Sequence, residues 1–344
     1  MSGDGRARHS RLANLERTRR QAITLAIAVI VVAALSPLLS HHLLPVSEAA
    51  IERGHFIALC VVALRALMAP LHEIFHALLW GGLLYAVWDR ARAWRLGRRE
   101  LSLLAAHEVG PRDALRRAAE TAEIDPARVR AVSDLPGAAL TIGWWKPLIY
   151  VSHETVERLD HGQLVAVLAH EGAHLRRRDP LRISILRFLS CLFFWLPALR
   201  QLADDLADEI EIIADDEAAA RQPLVLASAL VEVAKFGRQP LPQTAVGFHD
   251  RPLFDRRVRR LIGEAPVPGS HLTRRSAAGG ALVLFLVMTS GVVVAQVSPT
   301  GLISHYAEHC ENHDLPVIGH LLCLLDRPDR LTGDRLHQAH PSST

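Results

Sequence analysis

Two histidines four residues apart with a glutamate between them, His170-Glu171-Gly172-Ala173-His174, are the strongest candidate for chemistry in this sequence. On a helix this spacing sets both imidazoles on one face, one turn apart, where they can grip a single zinc ion. Glu171 then falls near the same ion and can act as general base toward water that the metal acidifies. Such a centre takes a third protein ligand and keeps one position open. The best supply of that ligand is the acidic helix Asp208-Glu209-Ile210-Glu211-Ile212-Ile213-Ala214-Asp215-Asp216-Glu217. Glu211 and Asp215 are four apart and share a face. A natural division puts Glu211 on the metal and Asp215 on the far nitrogen of a ligand histidine, fixing its tautomer. Asp208 and Glu209 compete for the ligand role.

The same H-E-x-x-H spelling recurs at His72-Glu73-Ile74-Phe75-His76, inside an apolar stretch. An intramembrane protease would need a later aspartate at membrane depth, and the nearest such text, Leu325-Asp326-Arg327, lies in a polar tail. The expected role is a polar patch within the membrane, pairing with Arg65, because buried ionisable groups need partners. His107-Glu108 and His153-Glu154 have no second histidine four residues on and count as ordinary polar positions. Arg176 to Arg178 are expected on a solvated or headgroup-facing surface. Asp179-Pro180 reads as a helix start; Asp179 can cap it or support a metal ligand from behind, and the cap is the preferred role.

The elements that must position these residues begin at Glu100. Asp113 to Glu123 has an amphipathic helical pattern, and Val129 to Val132, Ala138 to Ile142 and the run through Val151 read as short strands. Ser152 caps a following helix, and Asp160 starts the one that carries His170. Leu181 to Leu199 forms an apolar helix closed by Pro197. His170 and Glu211 must meet across it, so it is expected to pack in the domain or lie at the membrane surface rather than cross. The pattern gives a mainly helical α+β domain with a small sheet, residues 100–265.

The flanking segments look like membrane. With 50% hydrophobic residues, the chain is apolar for its charge content, and its formal charge of +3 comes from 39 basic and 36 acidic residues. The arginines cluster beside the apolar stretches, which suits a cytoplasmic membrane face and argues against a nucleic-acid partner. Residues 1–21 form a basic N-terminus and 22–99 a two-helix hairpin with a basic loop, its first span Ala22 to Ser40 and its second stretch Phe56 to Trp88. The first is longer than a usual signal-peptide core and lacks its cleavage pattern. Residues 276–297 give a third span. By the positive-inside rule, the protein is multi-pass in the cell membrane, with its domain in the cytoplasm and 298–344 as a short tail outside. The 4 cysteines show no C-x-x-C spacing, so neither a zinc ribbon nor a disulfide framework is indicated. Cys310 and Cys323, both in the tail, could pair or remain thiols.

One combination of motifs is more specific than H-E-x-x-H alone. It runs Pro136-x-x-x-Leu140-Thr141-x-Gly143-x-x-x-Pro147-x-Ile149-x-Val151-Ser152, then Leu168-Ala169-His170-Glu171, Arg177-Arg178-Asp179 and Glu211-x-x-Ala214-Asp215. From Pro136 to about Leu261 the chain thereby resembles the gluzincin membrane peptidases, among them HtpX-like enzymes and BlaR/MecR-type sensor-transducers. The resemblance implies a zincin-type fold, one Zn2+ held by His170, His174 and Glu211 rather than Glu209, and Glu171 as the catalytic base. It also implies that a protein substrate adds as a strand to an edge comprising Leu140, Thr141 and Ile142. The implied activity is zinc-dependent endoproteolysis at the membrane. The alternative is a transducer whose zinc domain cleaves or binds one regulatory partner. Sensors of that type carry a large external penicillin-binding domain, and residues 298–344 have neither the length nor an S-x-x-K motif, so direct β-lactam sensing is not expected.

Overall fold

The computed structural model describes residues 3–36, 55–106, 108–109, 113–133, 135, 137–220, 222–236, 251–264 and 269–295. They form a mainly helical α+β architecture with one small sheet. The chain divides into two compact units, Met1–Leu35 with Ile74–Leu286, and Ser36–Glu73 with Val287–Thr344. The first unit holds every element discussed below except the start of the second helix and the end of the last.

Helices α1 (Gly3–Ala34) and α2 (His55–Ala106) come first. After strand β1 (Glu108–Val109) and helix α3 (Asp113–Thr121), the chain lays down β2 (Val129–Val132), β3 (Ala139–Ile142) and β4 (Leu148–Ser152). The sheet order is β1-β2-β4-β3, with β2 parallel to β4 and the other pairs antiparallel. Side chains alternate across a strand, so parity decides what each residue meets. Val129, Ala131, Ala139, Ile149 and Val151 join the helical core, whereas Val132, Leu140 and Tyr150 cluster together in a separate small core. Thr141 has the parity of Ala139 and therefore faces the helices. Gly143 turns β3 back toward β4 at φ 118°, and a Cβ there would press on the Lys146 carbonyl.

Helix α4 (His153–Arg158) starts at Ser152, whose hydroxyl accepts from the Thr155 N–H as a cap. Helix α5 (His161–Arg177) opens on a capping box between Asp160 and Gln163. Its Leu164, Val167 and Leu168 pack into the helical core beneath the sheet. Arg178, at φ 54°, takes the left-handed conformation that stops α5 and lets α6 (Asp179–Leu192) start at once. The expected helix through Leu199 ends earlier. Pro197 does not close it but occupies the first turn of α7 (Pro197–Ala218), a position where its missing N–H costs nothing. Helices α8 (Pro223–Phe236), α9 (Arg251–Leu261) and α10 (Arg274–Ala295) follow.

Among the described residues two helical stretches are long and apolar enough to cross a membrane, Ala63–Arg99 in α2 and Arg274–Val294 in α10. Trp80, Leu84 and Trp88 on α2 and Leu282 and Phe285 on α10 expose their apolar side chains. The last residues of the expected span Ala22 to Ser40, and the whole tail with Cys310 and Cys323, lie outside the described residues. Further back, Ile23, Ile27 and Ala34 of α1 pack with Leu79, Leu186, Phe193, Leu199 and Leu202.

Gly82 marks a close approach of α2 to the end of α6: a Cβ there would overlap the carbonyl oxygen of Leu192, whereas nothing lies within 4 Å of the same atom at Gly81. Gly82→Ala should therefore cost about 1–3 kcal/mol of stability through overpacking. Gly81→Ala should be neutral or gain a few tenths, since Ala loses less backbone entropy in a helix. Thermal unfolding of the two variants checks this; equal melting temperatures would refute the close contact.

Candidate metal centre

Helices α5 and α7 each present two polar residues one turn apart on the buried face, and those faces meet. His170 and His174 are both nearly inaccessible, with their Nε2 atoms 3.1 Å apart. Glu211 reaches them from α7, its Oε2 3.5 Å from His170 Nε2 and its Oε1 3.5 Å from His174 Nε2. One ligand atom from each of the three lies within 4.8 Å of the others, and no other group of three or more His, Cys, Asp or Glu among the described residues could hold a metal ion. The second H-E-x-x-H, at His72 to His76, gathers no such group.

The far nitrogens explain why the imidazoles point inward. His170 Nδ1 lies 3.0 Å from Asp215 Oδ1. His174 Nδ1 lies 2.9 Å from Asp179 Oδ2. That corrects the reading of Asp179 as a cap: Arg178 holds the cap position of α6 without any side-chain cap bond, and the Asp179 carboxylate is fully buried. Arg177 Nη2 grips Asp179 at 2.9 Å and Arg182 Nη1 at 3.4 Å. Arg177 also donates to the Ile210 carbonyl at 3.3 Å, so the arginine run that ends α5 is not wholly a solvated face. With a carboxylate beside each Nδ1, the neutral rings keep their protons there, and both Nε2 lone pairs aim at one point once His170 has given up its second proton.

Arg257, on α9, escaped the sequence reading because it sits in the basic run Arg256 to Arg260. It is fully buried and donates to Asp215 through Nε at 2.6 Å and Nη2 at 2.7 Å. Its Nη1 lies 3.0 Å from Glu211 Oε2, and its Nη2 lies 3.4 Å from His170 Nε2. The neighbouring arginines pair with carboxylates farther out, Arg256 with Asp208 and Arg260 with Asp216. A signal was available: Leu253, Arg257 and Leu261 recur every four residues and are all buried, so the arginine stands in an apolar stripe.

Glu171 follows His170 on α5 and is buried. The Thr141 hydroxyl, which strand parity turns toward α5, donates to Glu171 Oε2 at 2.7 Å. β3 is an edge of the sheet among the described strands, bonded to β4 alone. Leu140 is buried on the opposite face, and Ile142 is half-buried at the strand's end. The competing ligands are elsewhere: Glu209 pairs with Arg19, and Asp208 with Arg256 and His271.

The donor set fits a divalent transition metal, with two imidazole nitrogens and one carboxylate oxygen converging. Glu211 Oε1 is buried with no hydrogen-bond partner, as an atom reserved for a metal would be. Burial opposes the charge on His170, but its contacts with Asp215 and Glu211 outweigh that and lift its pKa to about 9. Burial likewise opposes ionisation of Glu211, yet Arg257 and the two histidines bring it down to about 2. The same arginine and His170 hold Asp215 ionised well below the usual carboxylate range, against its burial.

A metal held by this group would displace the proton that His170 carries below pH 9. Apparent zinc affinity should weaken about tenfold per unit as pH falls from 8.5 to 6.5. The metal-free protein runs the other way. Its His170 pKa is raised above the unfolded value of 6.5, so that stabilisation is complete below pH 6.5 and fades as pH climbs toward 9. Zinc titrations monitored by calorimetry, with melting curves of the chelated protein, measure both; a pH-independent affinity would refute the assignment.

Residues 62–225, just under half of the chain, match the model of the BlaR1 peptidase M56 family. The match takes in both H-E-x-x-H sequences and Glu211, and it bears out the resemblance to BlaR/MecR-type membrane peptidases; a likeness to HtpX-like enzymes is not part of it. No curated protein matches the chain.

Proposed function

From a chain whose residues 62–225 match a membrane-peptidase family, we propose that the protein is a membrane-bound zinc endopeptidase that hydrolyses protein substrates near the cytoplasmic membrane face. The observation that carries this reading is the company of the metal group. A purely structural zinc site needs no general base, yet Glu171 stands one residue from a ligand, is 3% exposed, and is held by Thr141. Zinc on His170, His174 and Glu211 would polarise the scissile carbonyl and acidify the attacking water. Glu171 takes the proton from that water and passes it to the departing amine. Thr141 fixes the carboxylate oxygen that does so, while Asp215 and Asp179 keep both imidazoles turned inward. Among the described strands β3 is an edge that offers backbone groups to an extended peptide, so the residue that orients the base also belongs to the strand that receives the substrate.

The membrane part of the proposal rests on α2, α10 and the apolar half of α1 as spans, with residues 100–265 as the peptidase domain between them. The arginines at the C-terminal end of α2, from Arg90 to Arg99, support a cytoplasmic domain by the positive-inside rule. The BlaR1 description of the matched family favours a second reading, a transducer whose zinc domain cleaves or binds a single regulatory protein.

The test uses the full chain in detergent. It should contain one zinc per chain and cleave casein, lose cleavage on chelation, and recover it with added zinc. Zinc binding without casein cleavage would move the transducer reading ahead, and absence of zinc binding would sink both.

A further inference from the structure

We propose that Arg257 is a resident counter-ion of the metal centre, holding Glu211 and Asp215 together in the metal-free protein and opposing the metal for the same carboxylate. The inference rests on the metal reading above and adds a competitor to it. Glu211 and Asp215 sit one turn apart on α7 and are both almost fully buried. Two buried carboxylates need compensating charge. Arg257 supplies it with both ends of its fork, donating to Asp215 at 2.6 and 2.7 Å and standing 3.0 Å from Glu211 Oε2.

That position is also the metal's neighbourhood. The guanidinium is 3.4 Å from His170 Nε2, the nitrogen that faces His174 Nε2 and Glu211. Glu211 thus has one oxygen on the guanidinium and the other turned toward His174. Two cations so close in a buried site repel each other. By reciprocity the arginine weakens metal binding to the degree that bound metal weakens the arginine's contribution to stability. The residue lies beyond the matched segment 62–225, on a helix that brings no metal ligand of its own. An arginine that merely pinned α9 to α7 would be indifferent to metal.

The experiment compares the wild-type chain, Arg257→Gln and Arg257→Lys, each chelated and then titrated with Zn2+, following melting temperature and zinc affinity. Chelated Arg257→Gln should melt below the wild type. Saturating zinc should raise its melting temperature more than that of the wild type, and its zinc affinity should be tighter by at least about fivefold. Arg257→Lys, which keeps the charge, should respond as the wild type does. A zinc-induced rise equal to or smaller than that of the wild type, or weaker zinc affinity in Arg257→Gln, would overturn the inference. So would an Arg257→Gln chain that stays unfolded in saturating zinc, because the metal's charge should replace the missing guanidinium. These outcomes leave the metal centre standing if the wild type still responds to zinc. No response in the wild type would instead remove the metal reading and this inference with it.

Discussion

Glu171→Gln should abolish proteolysis while leaving the metal in place. The substitution keeps the shape of the side chain and removes its ability to accept a proton. The Thr141 hydroxyl, 2.7 Å from Oε2, can still donate to an amide oxygen there, so α5 keeps its seat against β3. No ligand is touched, since His170, His174 and Glu211 converge without Glu171. Loss of a general base typically costs about 10²–10⁴ in rate. Cleavage by the variant should therefore fall by at least about a hundredfold at unchanged zinc content. Glu73→Gln is the control, because His72 and His76 gather no third ligand among the described residues. If Glu73→Gln silenced the enzyme and Glu171→Gln did not, the chemistry would belong to the other motif.

What could be read from the sequence was what one helix fixes by itself. The spacing of His170 and His174, and that of Glu211 and Asp215, determines a face whatever the tertiary fold, and the structure sets those two faces against each other. The strand Val129 to Val132 and the caps at Ser152 and Asp160 are equally local and fall where their patterns put them, and the strand expected from Ala138 to Ile142 begins one residue later, at Ala139. The errors share a cause in the reverse direction. An Asp-Pro pair announces a helix start without saying whether the aspartate will look back along its own helix or across to a histidine five residues earlier. The left-handed turn at Arg178 decides that, and it hands Asp179 to His174. Pro197 was ambiguous in the same way, since a proline can follow one helix or begin the next. Arg257 needed the approach of α9 to α7, which no local pattern encodes. Only its place in a buried apolar stripe hinted that it was not another surface charge.

Glu211→Gln should strip the metal, and the comparison with two neighbours ranks the roles along α7. An amide oxygen is a poor substitute for a carboxylate on zinc, and the variant also loses the charge that Arg257 and both histidines face. Asp215→Asn leaves the ligands in place but weakens the hold on His170 Nδ1, a loss of the kind that usually costs about 10–100-fold in metal affinity. Glu211→Gln should exceed that range. Glu209→Gln should not reach it, because Glu209 turns away to Arg19 on α1, and its loss should register instead as a fall in melting temperature, since Glu209 is buried and the substitution breaks its ion pair. Zinc affinity of the three variants at one pH gives the order directly. The order matters because Glu209 and Glu211 are two residues apart on one helix, and only the tertiary contacts of α7, with α5 on one side and α1 on another, set Glu211 beside the two histidines and Glu209 beside Arg19 of the N-terminal helix. Retention of zinc by Glu211→Gln at wild-type affinity would reject the ligand set and leave the two histidines needing a third partner from outside the described residues.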